Sequence, residues 1–123
     1  MFRTPLKIIL VVLCCSVGLL ATGTPAHAAN GCGSDGTEWV PDGFAGADFG
    51  PACNRHDDCY ASSSSTDRKD CDEALKDGLD AACKDEFAWY NPTREVCLEA
   101  AYGYYLAVRQ WGDGPYAGSG DPS

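Results

Sequence analysis

Basic residues are scarce in this 123-residue sequence: nine lysines and arginines stand against eighteen aspartates and glutamates, a formal charge of −9. That shortage excludes the phosphate-neutralising surface of a nucleic-acid binder and disfavours attraction to anionic membranes. Histidine is scarcer still, with His27 and His56 the only two. No C-x-x-C pair occurs, so a thiolate zinc site has no starting point. A G-x-S-x-G elbow is also missing. The nearest fragment, Gly118-Ser119-Gly120, lies in a glycine-rich tail, which ranks a serine hydrolase low. The acids from Asp67 to Asp77 lack the glycine spacing of an EF-hand loop and read as a solvated helix face. There is no internal repeat, and the longest apolar run, Ile8 to Leu20, is too short to span a bilayer with ease.

What is present begins with an export address. Arg3 and Lys7 precede that apolar run, and Ala26-His27-Ala28 offers small residues for cleavage, so residues 1–28 read as a signal peptide. Neither Cys14 nor Cys15 has the small residue before it that a lipoprotein anchor needs, and both leave with the signal. Removing Arg3 and Lys7 leaves seven basic against eighteen acidic residues, a formal charge of about −11, for which calcium is a plausible counter-charge. Six cysteines remain: Cys32, Cys53, Cys59, Cys71, Cys83 and Cys97. An even number in an exported chain of about 95 residues implies three disulfides, because so small a domain buries only a modest core. Residues 29–111 are expected to form that domain and residues 112–123, with four glycines and two prolines, a flexible tail.

Residues 30 to 50, rich in Gly, Asp and Pro, show no sustained period and read as a structured loop region. Pro51 can open a helix that meets no breaker through Ala61, before the four serines Ser62 to Ser65. Thr66 or Asp67 can cap a second helix running to about Cys83, with Cys71, Leu75, Leu79 and Ala82 on one face. Asn91-Pro92 then supplies a cap and a first-turn proline. A third helix follows, in which Val96, Cys97, Ala100, Tyr104, Ala107 and Trp111 recur at three and four before Gly112.

Once the signal has gone, His56 is the sole histidine, and so the one side chain suited to exchanging protons near neutral pH. A lone histidine is more often structural than catalytic, but its neighbours weigh the other way. On a helix His56, Cys59 and Tyr60 line one stripe, with Cys53 and Asp57 on the next. If Cys53 bonds Cys32, the glycine-rich segment from Asn30 to Gly36 is pinned beside Asp57. If Cys59 bonds Cys71, Asp72 comes within reach of His56, and Cys83 with Cys97 would then tie the second helix to the third. Each bridge would contribute about 3 kcal/mol on the chain-entropy estimate. A glycine turn can aim carbonyls at a calcium ion opposite the Asp57 carboxylate, His56 can take a proton from water, and Asp72 can orient the imidazole.

The stretch Ala52-Cys53-Asn54-Arg55-His56-Asp57-Asp58-Cys59-Tyr60 resembles the secreted phospholipase A2 signature C-C-x-x-H-D-x-C-Y, with Ala52 in place of its first cysteine. Gly31-Cys32-Gly33-Ser34-Asp35 is similar to that family's calcium loop X-C-G-x-G, and Cys71-Asp72 matches its cysteine followed by the catalytic aspartate. The resemblance spans Gly31 to about Cys83, and beyond it Cys97 and the Tyr104-Tyr105 helix are spaced as in small microbial members. It implies a mainly α, disulfide-stapled phospholipase A2-like fold with two or three main helices, two of them antiparallel and catalytic, and a glycine-rich calcium loop. It further implies that His56 is the base, Asp72 its partner, Tyr60 a hydrogen-bond donor to Asp72, Asp57 the carboxylate ligand of Ca2+, and Gly31, Gly33 and Asp35 carbonyl ligands. The expected product chemistry is calcium-dependent cleavage of the sn-2 ester of a phospholipid at membrane or micelle surfaces, by a secreted monomer.

Departures from the pattern matter as much. The cysteine missing at Ala52 has its usual partner missing too, since Gly78 occupies that place. Asp35 stands where the family has glycine, with Gly36 next, and Asn30 is an alternative ligand. The N-terminal helix with which animal members grip membranes has no counterpart, so Trp39, Val40, Phe44 and Phe49 are candidates for an apolar rim, with packing under a long loop as the alternative. The rival to catalysis is a disulfide-stapled binding module or toxin on the same scaffold.

Overall fold

Proline and glycine punctuate the first described stretch so densely that it forms only a minimal hairpin before the helices begin. The structure, a computed structural model, describes residues 31–33 and 40–123. The signal peptide expected over 1–28, together with Asn30, Asp35, Gly36 and Trp39, lies outside the described residues. Strands β1 (Gly43–Phe44) and β2 (Ala47–Asp48) pair antiparallel, Gly43 with Asp48 and Phe44 with Ala47. Their two-residue turn, Ala45-Gly46, has positive φ at both positions, which matches the twist of a tight hairpin.

Three helices follow: α1 (Gly50–Tyr60), α2 (Arg68–Glu86) and α3 (Pro92–Trp111). Helix α1 starts with Pro51 in its first turn, where the missing N–H costs nothing, and stops at the serine run. In α3 the Asn91 side chain accepts a hydrogen bond from Thr93 N at 3.0 Å, the cap expected of it, and Gly112 follows the last turn. Helix α2 outruns its expected end at Cys83 by a turn, because Lys84, Asp85 and Glu86 are tolerated in helix and nothing breaks the pattern before Phe87. Asp67 sits at its N-cap but makes no capping hydrogen bond; its carboxylate accepts from Asp121 N at 2.8 Å instead.

The buried positions of α1 are Ala52, Cys53, His56 and Tyr60, and those of α2 are Arg68, Cys71, Asp72, Leu75, Leu79 and Cys83, each set falling at helical spacing along one stripe. Disulfides join Cys32 to Cys53, Cys59 to Cys71 and Cys83 to Cys97. The second links the end of α1 to the start of α2, and the third the end of α2 to the start of α3, so consecutive helices run antiparallel. Phe49, Leu75, Leu79, Phe87 and Ala101 fill the space between, with Ala47 and Ala52 closing one side. The two positions where the family's further bridge is absent face each other: a Cβ built on Gly78 would lie 2.8 Å from that of Ala52. An open cleft of about 350 Å³ beside them, lined by Pro51, Arg55, Ala81 and Asp85 among others, does not include His56.

Two expectations change here. Phe49, a candidate rim residue, is fully buried, its ring edge-on to Tyr104 at 5.4 Å between centroids, because it is the residue from which α1 springs inward. The segment after α3, expected to be a flexible tail, is laid back over the serine connection. Ala117 N donates to Tyr60 O, Ser119 N to Ser64 O and Tyr116 Oη to Thr66 O, so its glycines provide close approach as well as bends. Phe49→Ala is expected to cost about 3–5 kcal/mol. Urea denaturation checks this, and a cost below about 0.5 kcal/mol would return Phe49 to the surface.

Candidate active site

The last turn of α1 and the first turn of α2 are clamped by Cys59–Cys71, and this brings His56 and Asp72, sixteen residues apart, face to face. His56 Nε2 lies 2.7 Å from Asp72 Oδ1. A carboxylate only accepts, so Nε2 carries the proton and the Nδ1 lone pair is left for another donor. Tyr60, one turn after His56 on the same stripe, donates its hydroxyl to the same oxygen at 2.5 Å, and its ring tilts against the imidazole at 4.2 Å between centroids. Asp72 is fully buried and His56 nearly so.

Burial and charge pull on these groups in opposite senses. Desolvation lowers the His56 pKa below its ordinary value and outweighs the upward pull of the Asp72 hydrogen bond and charge, which keeps the imidazole a neutral base. Burial, then Asp72, pushes the Tyr60 phenol up, so it remains a donor. Asp57, one position on, points to a different side of α1 and has an exposed surface, yet protein crowds it. Partial desolvation, with Asp58 beside it, raises its carboxyl to about 6. A carboxylate in that position gains from a neighbouring cation.

The loop segment lies on the first turns of α1. Besides the Cys32–Cys53 bridge, Gly31 N donates to Asn54 Oδ1 at 3.1 Å and Cys32 N to Asp42 Oδ1 at 2.7 Å. Gly31 has φ of +60°, and the Asp42 carboxylate fills the space where a Cβ would stand, so only glycine suits the position. Because a trans peptide holds its C=O and N–H antiparallel, the Gly31 carbonyl faces away from Asp42. A calcium ion takes hard oxygen donors, and the donors on offer are of that kind: the Asp57 carboxylate, one turn beyond Cys53, and the carbonyls of Gly31 and Gly33. Among the described residues no group of three or more His, Cys, Asp or Glu side chains could hold a metal, so such a site would depend on backbone oxygens. Asp35 lies outside the described residues.

Several contributors were not singled out in the sequence, although Arg68 stands at helical i,i+4 spacing from Asp72. Arg109 Nη1 donates to Asp72 Oδ2 at 2.7 Å, and Arg68 Nη1 is 3.6 Å from the same oxygen. Asp42 and Asn54 hold the loop, and Tyr116 sets its ring edge-on to Tyr60 at 5.3 Å. Gly112 passes so close that a Cβ there would lie 2.5 Å from Tyr60 Oη and run into the Val108 carbonyl. Of these, only Gly112 stood out beforehand, as the end of a helix. Gly112→Ala is expected to destabilise the fold by about 1–3 kcal/mol, whereas Gly114→Ala, with nothing within 4 Å of the new methyl, is expected to be near neutral. Equal thermal shifts for the two would contradict the close approach.

Comparison with curated proteins and with solved structures gives no match. The family profile of prokaryotic phospholipase A2 does match, over residues 24–112, a span that holds all six paired cysteines, His56, Asp72 and the whole of α3. That span is well over half the sequence, and the chain belongs to the prokaryotic phospholipase A2 family.

Proposed function

We propose that this phospholipase A2 is an exported, calcium-dependent enzyme that hydrolyses the sn-2 ester of glycerophospholipids to a lysophospholipid and a fatty acid. The observation that carries the reading is the 2.7 Å contact between His56 Nε2 and Asp72 Oδ1. It occupies the proton-bearing nitrogen and leaves Nδ1 to accept a proton from water. His56 would take that proton as water attacks the ester carbonyl, and would return it to the departing alkoxide as the ester C–O bond breaks. Asp72 holds the tautomer and stabilises the imidazolium formed in between, with Tyr60 fixing the shared oxygen. Asp57 with the carbonyls of Gly31 and Gly33, and Asp35 as the further carbonyl, would hold Ca2+, whose charge when bound polarises the ester carbonyl and steadies the oxyanion.

Three disulfides support an oxidising destination, in keeping with a signal peptide over 1–28. No helix among the described residues is long and apolar enough to cross a membrane.

Fatty acid release from sn-2-labelled phosphatidylcholine is expected to stop on chelation and return with added calcium. Release that persists in excess chelator would remove the metal from the reaction. His56→Gln is expected to lower turnover at least about a hundredfold with calcium binding retained. Asp57→Asn is expected to weaken calcium binding first, as read by calorimetry. If both variants kept wild-type turnover, His56 and Asp57 would lose these roles; no turnover in the wild-type chain itself would favour the binding-module reading.

A further inference from the structure

Asp72 uses one carboxylate oxygen for His56 and Tyr60 and presents the other to arginine. Oδ2 accepts from Arg109 Nη1 at 2.7 Å, with Arg68 Nη1 at 3.6 Å. The two guanidiniums reach it at the open end of the α2–α3 hairpin: Arg68 opens α2 and Arg109 lies in the last turn of α3, which runs back beside it. A carboxyl torsion is broad and weakly held by its own chain. With Oδ1 alone engaged, the group could rotate about Cβ–Cγ and take its acceptor out of line with the imidazole. A second donor on Oδ2 removes that freedom.

Arg68 is itself locked. Its Nε donates to Pro122 O at 2.6 Å, its Nη1 to Val108 O at 3.0 Å, and its backbone N to Asp121 O at 2.8 Å. It is buried, and its donors are distributed over α3 carbonyls and the returning C-terminal segment. Arg109 differs: its side chain is a quarter exposed, and its one hydrogen bond to a side chain among the described residues goes to Asp72. Arg68 therefore binds the segments to one another, while the side chain of Arg109 makes no such ties to backbone among the described residues and goes to Asp72.

We infer that Arg109 is a positioning residue for hydrolysis: it holds Oδ2 of Asp72 so that Oδ1 stays aligned with His56 Nε2, with Arg68 as a fixed second cation behind it. The inference rests on the His56–Asp72 reading of the proposed function and adds a further member to it. A bare charge would not serve equally, since a fork with a defined plane fixes a carboxylate's orientation and a point charge does not.

The test uses the full chain, a short-chain phosphatidylcholine kept below its micelle concentration, and a double-mutant cycle. Arg109→Gln is expected to reduce kcat by about tenfold to a hundredfold, with KM and calcium affinity within about twofold of wild type. Arg109→Lys should recover only part of the loss. In an Asp72→Asn background, adding Arg109→Gln should cost less than about twofold more, because the group it acts through has changed. Wild-type kcat in Arg109→Gln, or fully additive losses in the cycle, would overturn the inference while leaving the proposed function standing. Full activity in Asp72→Asn would instead overturn the reading beneath it, and this inference with it. Should Arg109→Gln not fold, Arg109→Lys is read in its place: a smaller but measurable loss of kcat is expected, and wild-type kcat there overturns the proposal.

Discussion

A single buried carboxylate organises one end of this molecule. Asp72 is fully buried, and its two oxygens gather a histidine and a tyrosine from α1, an arginine from its own helix and another from α3. An isolated charge in that place would be strongly unfavourable, so the fold is obliged to surround it with donors. The obligation is structural in origin and chemical in effect: the groups that make the charge tolerable also fix which way it faces.

The rest of the architecture can be read as the means of assembling that cluster from a short chain. The core is small, with Phe49, Leu75, Leu79 and Phe87 as its bulky members, and helices α1 to α3 are joined in sequence by Cys59–Cys71 and Cys83–Cys97. The bridges lie at helix ends, where fraying would otherwise begin. The middle of the α1–α2 contact relies on small residues, Ala52 against Gly78, in place of sulfur. Close approach of the two backbones thus replaces one covalent link of the wider family.

Much of this was visible in the residues themselves, and the rest was not, for physical reasons. Asn91-Pro92, Pro51 and the apolar periodicity marked the helices because caps and buried faces are local properties. The meeting of His56 with Asp72 followed from cysteine spacing once a pairing was granted. Arg109 was not legible: it is one arginine on a helix, and tertiary packing brings it to a partner 37 residues away. Arg68 stands at helical i,i+4 spacing from Asp72, but its ties to Val108 and Pro122 are set by tertiary packing. Asp42 looked like any acid in a loop, and its grip on Cys32 N, ten residues back, has no helical or strand spacing to announce it. The tail misled because glycine and proline signal a bend as readily as looseness, and here Tyr60, Ser64, Thr66 and Asp67 supply the partners that turn bends into a strap. Asp67 illustrates the same competition, since Asp121 takes the side chain that a helix cap would have used.

The Cys59–Cys71 bridge closes a span of only twelve residues, and the imidazole and its carboxylate stand on either side of it. Reduction of that disulfide would therefore loosen alignment before it threatened the hydrophobic interior. A chain newly made in a reducing compartment would hold His56 and Asp72 yet lack the hinge pin that registers them, and oxidation of the two cysteines would be the moment at which their spacing is set.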